Sequence, residues 1–381
     1  MTVRVPVKPE LLLWACARNG HEPDAYAEQF GRLDSWIREE AEPTLKQLES
    51  FAKATHTPIG YFFLAHPPQE QVPLPDFRAG TGQQSLRPSP DLLDTIYICQ
   101  QRQEWFREYS RVAGLRPPAL VGSAHITDGV INAARRIRET LGFTLEARRR
   151  MSTWTEALRH LIELADAAGI LVMCSGVVGS NNKRPLDPVE FRGFAIADDL
   201  APLVFVNGAD TKAAQMFTLA HELAHIWIRQ SALSNPEAVR RSTHRVERWC
   251  NEVAAEVLVP LAVIKDVYDR NANLSSEMER LARFFKVSTL VVLRRIHDLG
   301  GLTAERMWQE YERELRRLRE IPRSSGGNFY LTLPVRVSKQ FARAIVTSTL
   351  EGHTLYRDAF RMLGFSKPST FRELGHSLGV I

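Results

Sequence analysis

Two histidines and a glutamate lie close together in the segment FTLAHELAHIWI, residues 217–228. His221 and His225 are four residues apart, so on an α-helix both imidazoles leave the same face, about 6 Å apart along the axis. At that spacing two ring nitrogens can reach one metal ion at roughly 2.0–2.1 Å, the distance typical of zinc. Glu222 points to the side, where it can reach a water at the ion and act as a general base.

The neighbours of this motif favour a metal site over a pair of ordinary core histidines. A helix that is buried nearly all round gains nothing from two imidazoles and a carboxylate unless those groups bind something. The alternative is that both histidines are structural and satisfied by hydrogen bonds inside the core. The apolar neighbours are Phe217, Leu219, Ala220, Leu223, Ala224, Ile226 and Trp227.

A catalytic zinc ion needs a third protein ligand and an open fourth position. The segment THRVERWCNEVAAEVLVP, residues 243–260, predicts a helix that ends before its proline. At roughly 100° per residue, Glu252 and Glu256 lie roughly 140° and 180° away from Glu247. The three carboxylates therefore cannot all face one ion.

Glu247 is the predicted third ligand, because small residues keep its side of the helix slim and let it pack closely on the motif helix. Asn251 lies one turn further along the same face. Two alternatives stay open: His244, one turn before Glu247, is a rival third ligand, and Cys250 could complete a closed structural site. The small residues are Ala254 and Ala255.

Short strands precede the motif helix and must support it. Phe191–Ala197 and Leu203–Asn207 flank a polar turn and predict an antiparallel hairpin, and Ile170–Cys174 is a further strand-like run. The motif helix is expected to begin at Asp210. Either hairpin strand could offer an edge on which an extended substrate pairs.

Helical periodicity predicts five short helices near the N-terminus, then a proline-rich linker at 66–77, then longer helices. Thr44 is expected to cap the fourth short helix, and Gly142 to end one of the longer ones. A Ser/Gly linker at 324–327 precedes a helical tail, 328–381. The predicted helices are Leu11–Arg18, Asp24–Phe30, Leu33–Glu40, Leu45–Thr55, Ile59–Leu64, Pro90–Val112, Asp128–Leu141, Trp154–Ala168, Leu261–Asp269, Ser275–Phe285, Ser288–Leu299, a charged helix over 302–321, Ser338–Leu350 and Thr354–Leu363.

Three segments resemble the ImmA/IrrE family of zinc peptidases: FTLAHELAH (217–225), ERWCNEVAAEVLVP (247–260) and FRGFAIADDLAPLVFVN (191–207). In that family the third ligand is the glutamate that opens the ExxxN…AAExLxP helix, which corresponds to Glu247. The resemblance implies Zn²⁺ as cofactor and a cytosolic endopeptidase of narrow specificity. Characterised members cleave helix-turn-helix repressors and so control gene expression in mobile elements or stress responses.

The resemblance extends to the N-terminal part of the chain. The segments 43–64 and PLPDFR (73–78) resemble the helix-turn-helix-derived module that is often fused ahead of this peptidase. We therefore predict an α+β, predominantly helical chain with a zincin-like HExxH metallopeptidase core and a small antiparallel sheet at 151–300. A helix-turn-helix-like module at 1–76 and a helical region at 77–150 precede this core, and a charged helix with a small helical unit at 301–381 follows it.

The charge distribution favours a protein partner over DNA. The chain carries a net charge of +5, but residues 1–75 are net acidic. The stretch GRLDSWIREEAEP at 31–43, where the DNA-recognition residues of such a module are expected, is acidic as well. Because phosphate contact needs a basic surface, DNA binding by this module is expected to be weak. The predicted substrate is a regulatory protein, either a helix-turn-helix repressor or a toxin–antitoxin partner. The alternative function is a non-catalytic DNA- or protein-binding regulator with a structural or silent zinc site.

Composition predicts a cytoplasmic protein. The four cysteines are far apart and form no CxxC pair, which is typical of reduced thiols. The N-terminal segment MTVRVPVKPE has no signal-peptide core. No apolar run approaches the ~20 residues needed to span a bilayer, so no membrane association is expected.

Overall fold

The N-terminal and central parts of the chain form separate packing units in the computed structural model, which describes residues 3–77, 88–234, 244–320 and 335–381. The N-terminal unit holds residues 1–73 and 85–96, and the main unit holds residues 74–84 and 97–381. The linker predicted at 324–327 lies outside the described residues. Within the described residues, no helix combines the length and apolar character required to cross a bilayer.

The N-terminal unit is built from short helices around an aromatic core. Its α-helices are α1 (Pro9–Arg18), α2 (Leu33–Ile37) and α3 (Leu45–Ala54), and two 3₁₀ turns lie at Pro23–Tyr26 and Ile59–Phe63. Thr44 caps α3 as predicted: its side chain accepts from the backbone of Gln47, whose side chain accepts in return. The ring of Phe51 contacts four other aromatic rings, those of Tyr26, Phe30, Trp36 and Phe62.

The remaining helices follow the predicted positions closely, with two additions. The short helix at Leu145–Arg149 has too few residues to show a period, and the helix at Pro368–Ser377 contains Ser, Thr and Gly, which are weak helix formers. The helices are α4 (Pro90–Val112), α5 (Val130–Leu141), α6 (Leu145–Arg149), α7 (Trp154–Ala167), α8 (Lys212–Trp227), α9 (Arg245–Leu258), α10 (Leu261–Val267), α11 (Leu274–Phe285), α12 (Thr289–Asp298), α13 (Ala304–Glu320), α14 (Lys339–Leu350), α15 (Tyr356–Leu363) and α16 (Pro368–Ser377).

A four-stranded sheet in the order β1-β3-β2-β4 lies in the main unit. Its strands are β1 (Leu171–Ser175), β2 (Gly193–Ile196), β3 (Leu203–Asn207) and β4 (Ala232–Ser234). The hairpin of β2 and β3 is antiparallel, as predicted.

The expectation of an antiparallel sheet is wrong, because β1 pairs parallel with β3 and the sheet is therefore mixed. Strand periodicity reports burial and not direction, so the pairing of β1 with the second strand of the hairpin could not be inferred from it. The expectation that β2 or β3 offers a free edge for pairing with an extended substrate is also wrong. Both strands lie inside the sheet, and its edges are β1 and β4.

The motif helix α8 is the centre of the main unit. The Thr211 side chain caps it by accepting from the backbone N–H of Ala214, 3.2 Å away. Every residue from Gln215 to Trp227 is buried, because α8 packs on β2 and β3 on one side and on α7 and α9 on others. The residues that could do chemistry are thus held on a helix that is packed on several sides.

Glu256, the last glutamate of α9, has a structural role. Its carboxylate forms a buried ion pair with Arg295 of α12 and accepts from the backbone N–H of Leu261 at 3.2 Å. Arg295 also donates from Nε to the carbonyl of Val259, 2.9 Å away. The sequence argument that Glu256 faces away from Glu247 is consistent with this pairing.

Replacing Glu256 with alanine should lower the free energy of unfolding by about 3 kcal/mol, the lower end for a broken buried ion pair. The buried Arg295 guanidinium loses its closest counter-charge but keeps Asp298 at 3.2 Å. Chemical denaturation of the purified variant measures this loss. Glu252→Ala, a half-buried position on the same helix, is the matched control, with an expected change within ~0.5 kcal/mol. Equal unfolding midpoints for the two variants would show that the ion pair does not stabilise the fold.

Candidate metal centre

Three side chains from α8 and α9 converge on one point. His221 Nε2 lies 3.2 Å from His225 Nε2, as one helical turn between them requires. From the facing helix, Glu247 places Oε2 3.3 Å from His221 Nε2 and Oε1 2.9 Å from His225 Nε2. The structure therefore brings the predicted third residue to both histidines.

These separations fit a bound metal ion better than a set of hydrogen bonds. An ion at 2.0–2.2 Å from three ligands in tetrahedral geometry holds the ligand atoms about 3.3–3.6 Å apart. The separations of 3.2 and 3.3 Å are close to this range, and the 2.9 Å between Glu247 and His225 is shorter. Glu247 Oε1 has no hydrogen bond of normal geometry within the described chain despite its 2.9 Å approach to His225. The three groups thus point at a shared centre, and they form a metal-binding His/His/Glu cluster.

The protonation states of the cluster also suit a metal. Burial lowers the pKa of His225, which keeps its imidazole neutral at pH 7 and able to donate a lone pair. Burial alone would raise the pKa of Glu247, but the neighbouring imidazoles more than offset this effect and hold its pKa well below the ordinary value. Glu247 is therefore an ionised carboxylate, the form in which it can ligate.

Glu222 lies beside the cluster and is not one of its three converging residues. It is fully buried, and this burial, followed by the charge of Glu247, raises the pKa of Glu222 well above the ordinary value, while the hydroxyl of Ser234 opposes the shift. A carboxylate whose pKa is moved toward neutrality is suited to taking up and releasing a proton.

A glycine in β2 leaves the space that Glu222 occupies. A Cβ added to Gly193 would lie 3.1 Å from Glu222 Oε1 and 2.6 Å from Thr218 Cγ2, both too close. Sequence reasoning missed Gly193 and Ser234 as neighbours of the site. An isolated glycine within the strand pattern FRGFAIA was the available signal, since such a glycine marks a close approach of another group.

Neither alternative ligand joins the cluster. His244 is the N-cap residue of α9, and its ring lies 4.4 Å from that of Phe77. Cys250 is fully buried on α9, and its burial raises the pKa of the thiol well above the ordinary value, so it stays protonated. Within the described residues, the converging set consists of His221, His225 and Glu247.

Residues 165–297 match the sequence model of the M78 peptidase family, described as the IrrE N-terminal-like domain. The matched range runs through the sheet, α8 and α9, and contains all three converging residues. The chain carries an M78 metallopeptidase domain. In this M78 domain the His/His/Glu cluster is of the type found in M78 zinc peptidases.

A second match lies outside the M78 domain. Residues 337–377, which include α14 to α16, match a domain of unknown function, DUF8813. The two matches do not extend to the N-terminal unit. A search of curated proteins found no match for the chain.

Proposed function

We propose that the M78 domain is a zinc-dependent endopeptidase in which His221, His225 and Glu247 hold one zinc ion and Glu222 is the general base. This proposal depends on the convergence of three ligand groups, His221, His225 and Glu247, beside the buried carboxylate of Glu222. When bound, zinc supplies Lewis-acid polarisation of the scissile carbonyl and activation of water. A structural site would instead need a fourth ligand, and the described residues offer none within the cluster.

The chain's own residues then have distinct tasks. Glu222 accepts the proton of the attacking water and afterwards delivers it to the amine that leaves the cleaved peptide bond. Its raised pKa favours uptake of that proton. His225, kept neutral by burial, and Glu247, kept ionised by its neighbours, retain their lone pairs for the metal. Gly193 leaves the space that the Glu222 carboxylate occupies.

The proposed substrate is one regulatory protein, a helix-turn-helix repressor or a toxin–antitoxin partner, whose cleavage changes transcription. The resemblance to the ImmA/IrrE family supports this choice. The acidic N-terminal unit, proposed to be a helix-turn-helix-derived module within residues 1–76, supports a protein partner over DNA, because phosphate contact needs basic side chains. The four cysteines are free thiols, which is consistent with the proposed cytoplasmic location.

Labelling of new protein N-termini in cells tests this proposal. Cells that express the wild-type chain should gain a small set of new N-termini in regulatory proteins, and cells that express Glu222→Gln should not, because that variant lacks the proton acceptor. The outcome is read by mass spectrometry at equal expression of the two chains. Identical N-termini in both cultures would reject the endopeptidase function, and cleavage of many unrelated proteins would reject the narrow specificity.

A further inference from the structure

A segment of the chain itself pairs with the outer edge of β4. We call this segment, Leu74–Phe77, the strap. The backbone N–H of Phe77 donates to the carbonyl of Leu233 at 3.0 Å, and the N–H of Leu233 donates to the carbonyl of Pro75 at 2.9 Å. Asp76 is the parallel bridge partner of Leu233. The strap thus takes the place of an additional strand at the sheet edge.

The strap reaches the metal centre through its last residue. The ring of Phe77 stacks on that of His225 with 10° between the planes and 6.4 Å between the centroids, and it also contacts the ring of His244 at 4.4 Å. The strand it pairs with also borders the site, because Ser234 of β4 lies opposite Gly193 of β2, the glycine that Glu222 approaches. The strap therefore lies along the sheet edge nearest to the proposed general base.

The metal centre is closed to solvent in this arrangement. His221, Glu222 and His225 are 0% exposed, and Glu247 is 4% exposed. An endopeptidase must admit an extended peptide, and an extended peptide gains its backbone hydrogen bonds by pairing with a free sheet edge. Of the two edge strands, β4 is the one beside the site, and the strap occupies it.

The attachment of the strap is short. Proline has no N–H, so Pro73 and Pro75 cannot donate further bonds to extend the pairing. Pro75 and Asp76 are exposed, Phe77 is half-buried, and Leu74 is the one buried side chain of the strap. Two backbone hydrogen bonds join the strap to β4, and Asp76 takes part in a further interaction. An attachment of this length is the kind of contact that a competing strand can replace.

We propose that the strap is an internal competitor of the substrate: it covers the metal centre in the resting chain and leaves β4 before a peptide pairs there. The part of this proposal that names a substrate peptide as the strand replacing the strap rests on the proposed function. The covering itself concerns the metal-binding cluster and can be tested without any substrate.

The rate of zinc transfer from the loaded chain to the chromogenic chelator 4-(2-pyridylazo)resorcinol measures access to the site. Phe77→Ala removes the ring, and Phe77→Pro removes both the ring and the N–H that bonds to Leu233. Both variants should release zinc about 10-fold faster or more, because an open state populated at roughly 10% or less becomes the main state. Phe77→Tyr, which keeps the ring and the N–H, should release zinc at the wild-type rate.

Phe63→Ala is the matched control, since Phe63 is a 57% exposed phenylalanine of the N-terminal unit. An unchanged transfer rate in Phe77→Ala would overturn the proposal. So would a loss of equilibrium zinc affinity in that variant, because Phe77 would then support His225 and would not cover the site. Faster transfer without cleavage of any protein would retain the strap and reject the peptidase, whereas cleavage with unchanged transfer would do the reverse.

Discussion

Glutamine in place of Glu222 is expected to stop peptide hydrolysis while zinc binding stays at the wild-type level. The amide has nearly the same volume as the carboxyl group but cannot accept the proton of the attacking water. General-base catalysis contributes about 10²–10⁴-fold to a rate, so cleavage should fall by at least that factor. Zinc binding should persist because Glu222 is not among the three converging residues.

The measurement pairs a cleavage rate with a zinc content for the same protein sample. The substrate is the regulatory protein identified by N-terminal labelling, and zinc is quantified by mass spectrometry of the metal. Glu252→Gln, the same substitution on α9, is the matched control and should retain both properties. Wild-type cleavage by Glu222→Gln would place the general base elsewhere, and loss of zinc would make Glu222 a ligand.

Alanine in place of Glu247 is expected to weaken zinc binding by more than about 100-fold. Loss of a residue that only hydrogen-bonds to a metal ligand costs up to about 100-fold, and loss of a ligand itself should cost more. Two imidazoles from one helix would remain, without the carboxylate that α9 contributes. Zinc should then no longer protect the fold. A ligand present at 100 times its Kd stabilises a native protein by about 2.7 kcal/mol, and the variant should lose this increment.

Competition with a chelator of known affinity measures the first effect, and thermal unfolding with and without zinc measures the second. Glu252→Ala again serves as the control, because it removes a carboxylate from the same helix without touching the cluster. If Glu247→Ala bound zinc as tightly as the control, His244 would return as the third ligand.

The metal centre could be predicted from the sequence because a helix converts residue spacing into geometry. A spacing of four residues from His221 to His225 fixes one shared face, and the angular positions on α9 separate Glu247 from Glu256. The structure brings His221, His225 and Glu247 together and pairs Glu256 with Arg295. These arguments needed only local spacing, which the sequence shows directly.

Sheet pairing was less accessible because each partner lies far away in the chain. The parallel pairing of β1 with β3 and the three-residue strand Ala232–Ser234 gave no local signal. The sequence places the strap in a predicted proline-rich linker, since the strap's own residues show no strand period. The pairing of the strap with Leu233 depends on how the whole main unit packs, and no local sequence pattern predicts it.

The location of the metal in crystals of the zinc-loaded chain, determined from anomalous scattering at the zinc absorption edge, tests the central claim most directly. We expect one peak about 2.0–2.2 Å from His221 Nε2, His225 Nε2 and an oxygen of Glu247, with no fourth protein ligand. A peak elsewhere, or a peak at this position completed by a fourth side chain such as that of Cys250, would contradict a catalytic zinc site.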